Sequence, residues 1–255
     1  MRRMVRENLD SDTADELARR QTEADRQHAG GQLDVNGAWT SARKSAAFRP
    51  ALAALKHMAG DTERCMYCLD SHGTDVEHFW PKSPYPQRMF DWANLLLGCA
   101  ECGRLKGDRF PLDGGAPMLI DPSAEDPWEH LDFDSDTGNL MARVDAASGE
   151  PSRKGAATVD MLKLDAREAL SKLYKRTFLR LRSEVDSALN AARGTDSPNA
   201  VALLDRLHAL DDHGLLAWCF SERGAREQTL GRLRRESPGI WSQGESRFAS
   251  TAAHR

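Results

Sequence analysis

The residues best suited to chemistry are four of the five cysteines, which form two Cys-x-x-Cys pairs. One pair is Cys65 with Cys68, and the other is Cys99 with Cys102. Each short loop can present two thiolates to one tetrahedral ion, and four thiolates favour zinc, with an iron–sulfur cluster as the main alternative. Because protein would fill all four positions, no place is left for water. We therefore predict a structural zinc rather than a catalytic one.

The segment between the pairs contains a histidine beside an acid, His78 and Glu77. Hydrolysis of a phosphodiester needs a base that takes a proton from water and a divalent cation that neutralises charge on the phosphate. Neighbouring side chains of a strand point to opposite faces, so both residues reach one site only if the backbone twists or bulges there. Asp75 lies on the same face as Glu77 and is a second candidate cation ligand. A Glu-His pair alone is weak evidence for catalysis, since most histidines have no catalytic role.

Taken in order along the chain, these elements resemble the HNH nucleases. The order is Cys-x-x-Cys, Glu-His-x-x-Pro-Lys, Asn-Leu-x-x-x-Cys-x-x-Cys and then Lys-Gly. HNH nucleases have a ββα-metal finger that is often framed by such a zinc. The resemblance implies that His78 is the general base, that Glu77 binds a catalytic Mg²⁺ or Mn²⁺, and that Asn94 orients the histidine.

One position departs from the HNH pattern. After the last zinc cysteine these proteins usually have an Asn or His that completes the catalytic metal site, whereas this chain has Gly103. Glycine offers no side-chain ligand, so the cation would depend on Glu77, Asp75 or Asp108 together with water and phosphate oxygens. A degenerate finger that binds without cutting therefore stays open as an alternative.

The resemblance narrows to the PtuB proteins of bacterial anti-phage defence. It is found in EHFWPKS, NLLLGCAECGRLKGDRFPL and MLIDPSAEDPWEHLDFDSDTGNL, and it spans most of residues 1–190. PtuB proteins act beside a PtuA-like ABC-type ATPase in Septu systems and in some retrons. The resemblance implies the effector nuclease of such a system, within a hetero-oligomeric complex. The alternatives are a zinc-stabilised module that binds nucleic acid or protein without cutting, and a stand-alone HNH restriction endonuclease.

Basic residues near these motifs are candidates for contact with nucleic acid, with DNA expected before RNA. They are Lys82, Arg104, Lys106 and Arg109. Phosphate contacts fix position and do not read sequence. The net charge of −4 means that such contact would depend on local basic patches and metal ions. Nearby aromatic residues could stack on bases, but a small core is the favoured interpretation: Trp80, Tyr85, Phe90 and Trp92.

The elements that must position these residues are mostly helical. Spacings of three and four predict helices over 10–28, about 40–58, from after Asp165 up to Gly194, over 198–210 and over about 214–236. Pro50 would bend the second helix or divide it. Short strands are expected at 118–120 and 131–133. The expected domains are an N-terminal helical brace (1–60), a zinc-bound HNH domain with an irregular wrap (61–150), a C-terminal helical domain (151–243) and a disordered tail (244–255).

The predicted fold class is therefore α+β and mostly helical, with a zinc-framed ββα-metal finger between the helical brace and the C-terminal helical domain. With 40% hydrophobic and 29% charged residues, the composition is that of an ordinary soluble protein. No stretch approaches the ~20 apolar residues that a membrane span needs. The basic N-terminus turns polar at once, unlike a secretory signal. We expect a cytoplasmic location, no membrane contact and no disulfides.

Overall fold

The computed structural model describes residues 1–191 and 199–248. They divide into two compact units. The cysteine unit is Arg3–Glu125, and the helical unit is Met1–Arg2 with the described residues from Asp126 onward. Residues 3–60 of the predicted brace and residues 61–125 of the predicted zinc domain thus lie in one unit. The predicted wrap is divided, because its residues 126–150 belong to the helical unit.

Three helices begin the cysteine unit: α1 (Ser11–Ala29), α2 (Val35–Lys44) and α3 (Arg49–Ala59). The prediction of the first helix is confirmed to within one residue at each end. The stretch predicted over 40–58 is two helices that part at Ser45, before a 3₁₀ turn at Ala46–Phe48. Pro50 lies in the first turn of α3, where no intrahelical bond needs its missing N–H. The chain therefore divides before the proline and not at it.

A strand pair and a short helix follow. β1 (Asp75–His78) pairs with β2 (Leu95–Gly98) in antiparallel register, with His78 opposite Leu95. β2 is buried along its whole length, as expected of an apolar run covered on both faces. α4 (Ala100–Lys106) begins directly after Cys99. Two strands and a helix thus occupy the segment that contains the predicted site.

The rest of the cysteine unit is irregular. A tight hairpin joins β3 (Leu112–Asp113) to β4 (Ala116–Pro117). The strand predicted at 118–120 is wrong, since these residues are bends and coil. Leu119 and Ile120 are nevertheless fully buried. The apolar character of this run therefore reflects burial of its side chains and not membership of a strand.

The described part of the helical unit combines one hairpin with helices. β5 (Leu131–Phe133) pairs with β6 (Leu140–Ala142), which confirms the strand predicted there. The helices are α5 (Arg153–Leu162), α6 (Glu168–Ala191), α7 (Ala200–Leu210), α8 (Leu216–Cys219), α9 (Gln228–Glu236) and α10 (Pro238–Phe248). The apolar stripe of α6 packs within this unit against α7 and α9. The predicted end of α6 at Gly194 lies outside the described residues.

The predicted disordered tail is wrong in its first part. Residues 244–248 complete α10, and residues 249–255 lie outside the described range. The helix continues because Trp241 and Phe248 both pack on Phe220, with ring centroids 5.3 and 5.5 Å away. Across the described residues, no helix combines the length and the apolar character needed to cross a bilayer.

Candidate functional site

The four paired cysteines meet at one place in the cysteine unit, and each is at most 4% exposed. Their Sγ atoms all lie within 4.8 Å of one another, and the Sγ atoms of Cys68 and Cys99 are 3.9 Å apart. A tetrahedral zinc with Zn–S bonds of about 2.3 Å holds its sulfurs roughly 3.8 Å apart. The donor set and its spacing therefore fit one metal ion and are compatible with structural zinc.

Backbone hydrogen bonds bring the two cysteine pairs together. Met66 N donates to Leu97 O at 2.9 Å, which ties the first cysteine loop to β2 just before Cys99. Leu69 closes that loop with a left-handed φ of 54°. At the other pair, the Cys99 Sγ accepts from Cys102 N and so caps α4. The strand pair thus sets the distance between the loops.

The four thiols do not ionise independently. Hydrogen bonding with Cys102 lowers the pKa of Cys68 and lowers the pKa of Cys99 to about 7. Hydrogen bonding with Cys65 raises the pKa of Cys102. The shifts are opposite because a thiol that donates a hydrogen bond to a neighbouring thiolate keeps its own proton, so only some of the four ionise. A shared cation would stabilise all four thiolates together.

The imidazole of His78 is held in one orientation at the end of β1. Its Nε2 lies 3.0 Å from the Met89 carbonyl oxygen. Because a carbonyl only accepts, Nε2 must hold the proton and Nδ1 is left as an acceptor. Trp39 of α2 packs edge-on against the ring, with centroids 4.3 Å apart. His78 is 6% exposed, and this burial lowers its pKa to about 3, so the ring is neutral at physiological pH.

Asn94 fixes the segment that holds the Met89 carbonyl. Its Oδ1 accepts from Trp80 N at 2.6 Å, and its Nδ2 donates to Trp80 O at 3.0 Å and to Arg88 O at 2.8 Å. The carboxamide therefore joins the two ends of the loop that leads from β1 to Met89. An orienting role for Asn94 requires this kind of contact behind the histidine.

Glu77 lies against α4 with a buried lysine beside it. Lys106 Nζ is 2.8 Å from Glu77 Oε1 and 2.6 Å from the His78 carbonyl oxygen. Burial raises the pKa of the Glu77 carboxyl, and the charge of Lys106 opposes that rise. Glu77 Oε2 lies next to Gly103, where an added Cβ would be only 3.1 Å away. The missing side chain of Gly103 thus makes room for the carboxylate.

The place of Lys106 does not fit its predicted contact with nucleic acid. The side chain is fully buried, with 0% exposure. To reach a phosphate, the ammonium would have to give up both hydrogen bonds. The buried Glu77 carboxylate would then have no partner, which costs several kcal/mol. Lysines are almost always exposed, so the sequence pattern favoured a surface position.

A cavity of about 520 Å³ adjoins β1 and α4. Predicted site residues from both faces of β1, from the following loop and from α4 form part of its wall: Asp75, Glu77, His78, Lys82, Arg104 and Asp108. The register of β1 with β2 is continuous over Asp75–His78, so no bulge is present there. Arg109 is exposed outside this wall and donates to the Leu105 carbonyl.

Three groups at the site were not singled out by the sequence. Trp39 covers the imidazole, Arg43 forms an ion pair with Asp75, and the Met89 carbonyl accepts from His78. Both α2 residues come from the segment predicted only as a brace. A backbone carbonyl has no sequence signature, and the amphipathic pattern of α2 gave no indication of which neighbour it packs against.

The chain resembles proteins of Septu systems. No family model matches it. It is 30% identical to a Septu protein PtuB of Bacillus thuringiensis over 46% of this chain and 41% of that protein. A Septu protein PtuB of Bacillus mycoides (strain KBAB4) is also 30% identical, over 36% of this chain and 41% of that protein.

A Septu protein PtuA of the same Bacillus mycoides strain is 33% identical over 28% of this chain and 11% of that protein. The chain spans about two fifths of the length of the PtuB relatives, 41% in each case. Within the matched segments, this chain is therefore similar to the Septu proteins named PtuB.

Proposed function

We propose that this protein is a metal-dependent HNH endonuclease that hydrolyses phosphodiester bonds of nucleic acid. The main support is the His78 imidazole, whose Nδ1 is left as an acceptor at the wall of a cavity that Glu77, Lys82 and Arg104 also line. A neutral imidazole can take a proton from water, and a carboxylate can hold a divalent cation. Basic side chains can bind the phosphate.

In this proposal, the segment from Cys65 to Lys106 is a ββα-metal finger. Its strands are β1 and β2, its helix is α4, and its structural zinc is held by Cys65, Cys68, Cys99 and Cys102. The spacing of the sulfurs supports this assignment. Zinc at this place would hold the two cysteine loops together and take no part in the reaction, since all four ligand positions come from protein.

The residues present also fit a Mg²⁺ or Mn²⁺ ion at the cavity, since three carboxylates lie at its wall. Glu77 Oε2 would hold the ion, with Asp75 or Asp108 and with water and phosphate oxygens as further ligands. Magnesium commonly binds through one or two carboxylates in this way. Such an ion would neutralise the charge that develops on the phosphate.

The proposed roles of the side chains follow from their positions. Lys82 and Arg104 bind the phosphate at the cavity, and His78 Nδ1 takes the proton of the attacking water. The burial that keeps the imidazole neutral also makes it a weak base. A phosphate bound nearby would raise the pKa of the ring, because an anion stabilises imidazolium. Asn94 acts through the Met89 carbonyl and keeps the ring from turning.

The names of the relatives favour a role in Septu anti-phage defence. We propose a PtuA-like ABC-type ATPase as partner in a hetero-oligomeric complex, with the ATPase regulating cutting. DNA is the proposed substrate and RNA is the alternative, so both belong in the assay.

The test is cleavage of supercoiled plasmid and of tRNA by the zinc-loaded full chain in Mg²⁺ or Mn²⁺, with and without the ATPase. We expect His78→Ala to cut at least ~100-fold more slowly than the unmodified chain, because it loses the general base. The matched control is His57→Ala, whose side chain is 80% exposed. Cutting by His78→Ala at the unmodified rate would remove His78 from the mechanism.

A second candidate function is a zinc-stabilised binding module that does not cut. It is favoured by Gly103, which supplies no ligand, and by the ion pair that already occupies Glu77. Protection of cells against phage separates the two functions. If His78→Ala still protects while Cys65→Ser does not, the site serves as a scaffold.

A further inference from the structure

We propose that the cavity binds its divalent cation together with nucleic acid and not before it. The reason is that both carboxylates of β1 that could hold the cation already have a positively charged partner in the fold. This inference rests on the proposed nuclease function, and it concerns how cation binding at the same site is regulated.

The first of these pairs is Glu77 with Lys106. The ammonium lies 2.8 Å from Glu77 Oε1 and also donates to the His78 carbonyl at 2.6 Å. Lys106 has no exposed surface, so the pair is little screened by water. A divalent cation at Glu77 Oε2 would lie close to this fixed positive charge. Its binding in the absence of substrate is weakened accordingly.

The second pair is Asp75 with Arg43 of α2. Both side chains are about half exposed, 46% for Arg43 and 52% for Asp75, and both residues line the cavity. The guanidinium competes with any cation for the Asp75 carboxylate. Because this pair lies at the surface, Arg43 can be replaced with little effect on folding.

The charges of the two carboxylates on β1 are therefore already balanced before substrate arrives. Two carboxylates face two basic side chains, and Gly103 adds no ligand. Asp108 is the remaining acid at the wall, and a single exposed carboxylate holds Mg²⁺ weakly. A bound phosphodiester brings both negative charge and oxygen ligands. It thus completes a cation site that the protein alone leaves incomplete.

The experiment measures Mn²⁺ binding to the zinc-loaded full chain from the EPR signal of free Mn²⁺, with and without a phosphorothioate DNA duplex that resists cleavage. Binding to the duplex alone is subtracted. We expect the duplex to tighten Mn²⁺ binding at least ~10-fold. Arg43→Gln should tighten binding without DNA about 3–10-fold, because a repelling charge is removed. Lys106→Gln should act in the same direction where it folds.

The matched control is Arg26→Gln, which removes the same charge from an exposed ion pair on α1. Tight Mn²⁺ binding by the unmodified chain without DNA, or no response to saturating duplex, would overturn the inference. So would unchanged DNA-free binding in Arg43→Gln. Cleavage is scored separately: coupled Mn²⁺ binding without any cutting would overturn the proposed function alone, and cutting with DNA-independent Mn²⁺ binding would overturn this inference alone.

Discussion

At the scale of single residues, Asn94 is hydrogen-bonded to the loop that ends at Met89, and the Met89 carbonyl in turn contacts His78. Replacing Asn94 with Ala removes three hydrogen bonds to the loop that precedes Met89. We expect the cleavage rate to fall about 10–100-fold, as is usual when an orienting partner is lost. Stability should fall by about 2–3 kcal/mol, because buried backbone groups lose their partners. Cleavage kinetics and urea unfolding measure the two effects.

Asn190→Ala is the control for this change, since Asn190 is exposed in α6. It should leave both quantities unchanged. An Asn94→Ala protein that is destabilised but still cuts at the normal rate would show that the carboxamide only supports the fold.

Gly103 allows stability and activity to be separated. Gly103→Ala places a Cβ 3.1 Å from Glu77 Oε2, and the carboxylate cannot move freely because Lys106 holds its other oxygen. We expect cleavage to fall about 10-fold as the carboxylate shifts. Stability should change by less than ~1 kcal/mol, since the better helix propensity of alanine offsets the strain at the carboxylate. The control is Gly239→Ala in α10, where a Cβ meets nothing within 4 Å.

Residues of the site differ in how well the sequence predicts them. The cysteine pairs can be predicted from sequence because their local spacing reflects the geometry of one ion. The structure brings the four sulfurs together. The buried position of Lys106 cannot be predicted from sequence, because only the packing of α4 on β1 decides whether a lysine points inward. The contact of the Met89 carbonyl with His78 cannot be predicted either, since every residue has a backbone carbonyl.

At the scale of elements, α1 acts on the same loop from the other side. Gln21 Oε1 accepts from Phe90 N at 2.7 Å, and its Nε2 donates to Pro86 O at 3.0 Å. The predicted brace therefore contacts the backbone on both sides of Met89. The spacing of apolar residues predicted α1 well, because it depends on which face of that one helix is buried. The same spacing could not predict the contact of Gln21, which joins polar groups far apart in sequence.

The strand pair and α4 should depend on the metal for their structure. Cys99→Ser removes one of four thiolates, and a structural zinc contributes on the order of 10 kcal/mol in small domains. We expect loss of stoichiometric zinc and loss of cooperative unfolding in the cysteine unit. Elemental analysis and limited proteolysis measure these effects. A strong chelator should produce the same change.

Cys219→Ser is the matched control, because Cys219 is buried in α8 outside the cluster. It should keep its zinc. Stoichiometric zinc in Cys99→Ser would refute the proposed tetrathiolate site.

At the scale of the whole molecule, the net charge of −4 opposes contact with a polyanion. Lys82 and Arg104 place positive charge at the cavity, whereas Lys106 is buried and paired. Binding of nucleic acid by this chain alone should therefore be weak and should depend on a few phosphate contacts. A partner with a basic surface would change this balance.

Salt dependence tests how many phosphates the chain contacts. Arg104→Gln and Lys82→Gln should each weaken binding to all sequences alike and reduce the slope of log K against log salt by about 1, because each removes one phosphate contact. Arg109→Gln should have a smaller effect, since Arg109 lies outside the cavity wall. Arg19→Gln removes the same charge from an exposed pair on α1 and should leave the slope unchanged. Equal effects of Arg104→Gln and Arg19→Gln would mean that net charge, and not the cavity, sets binding.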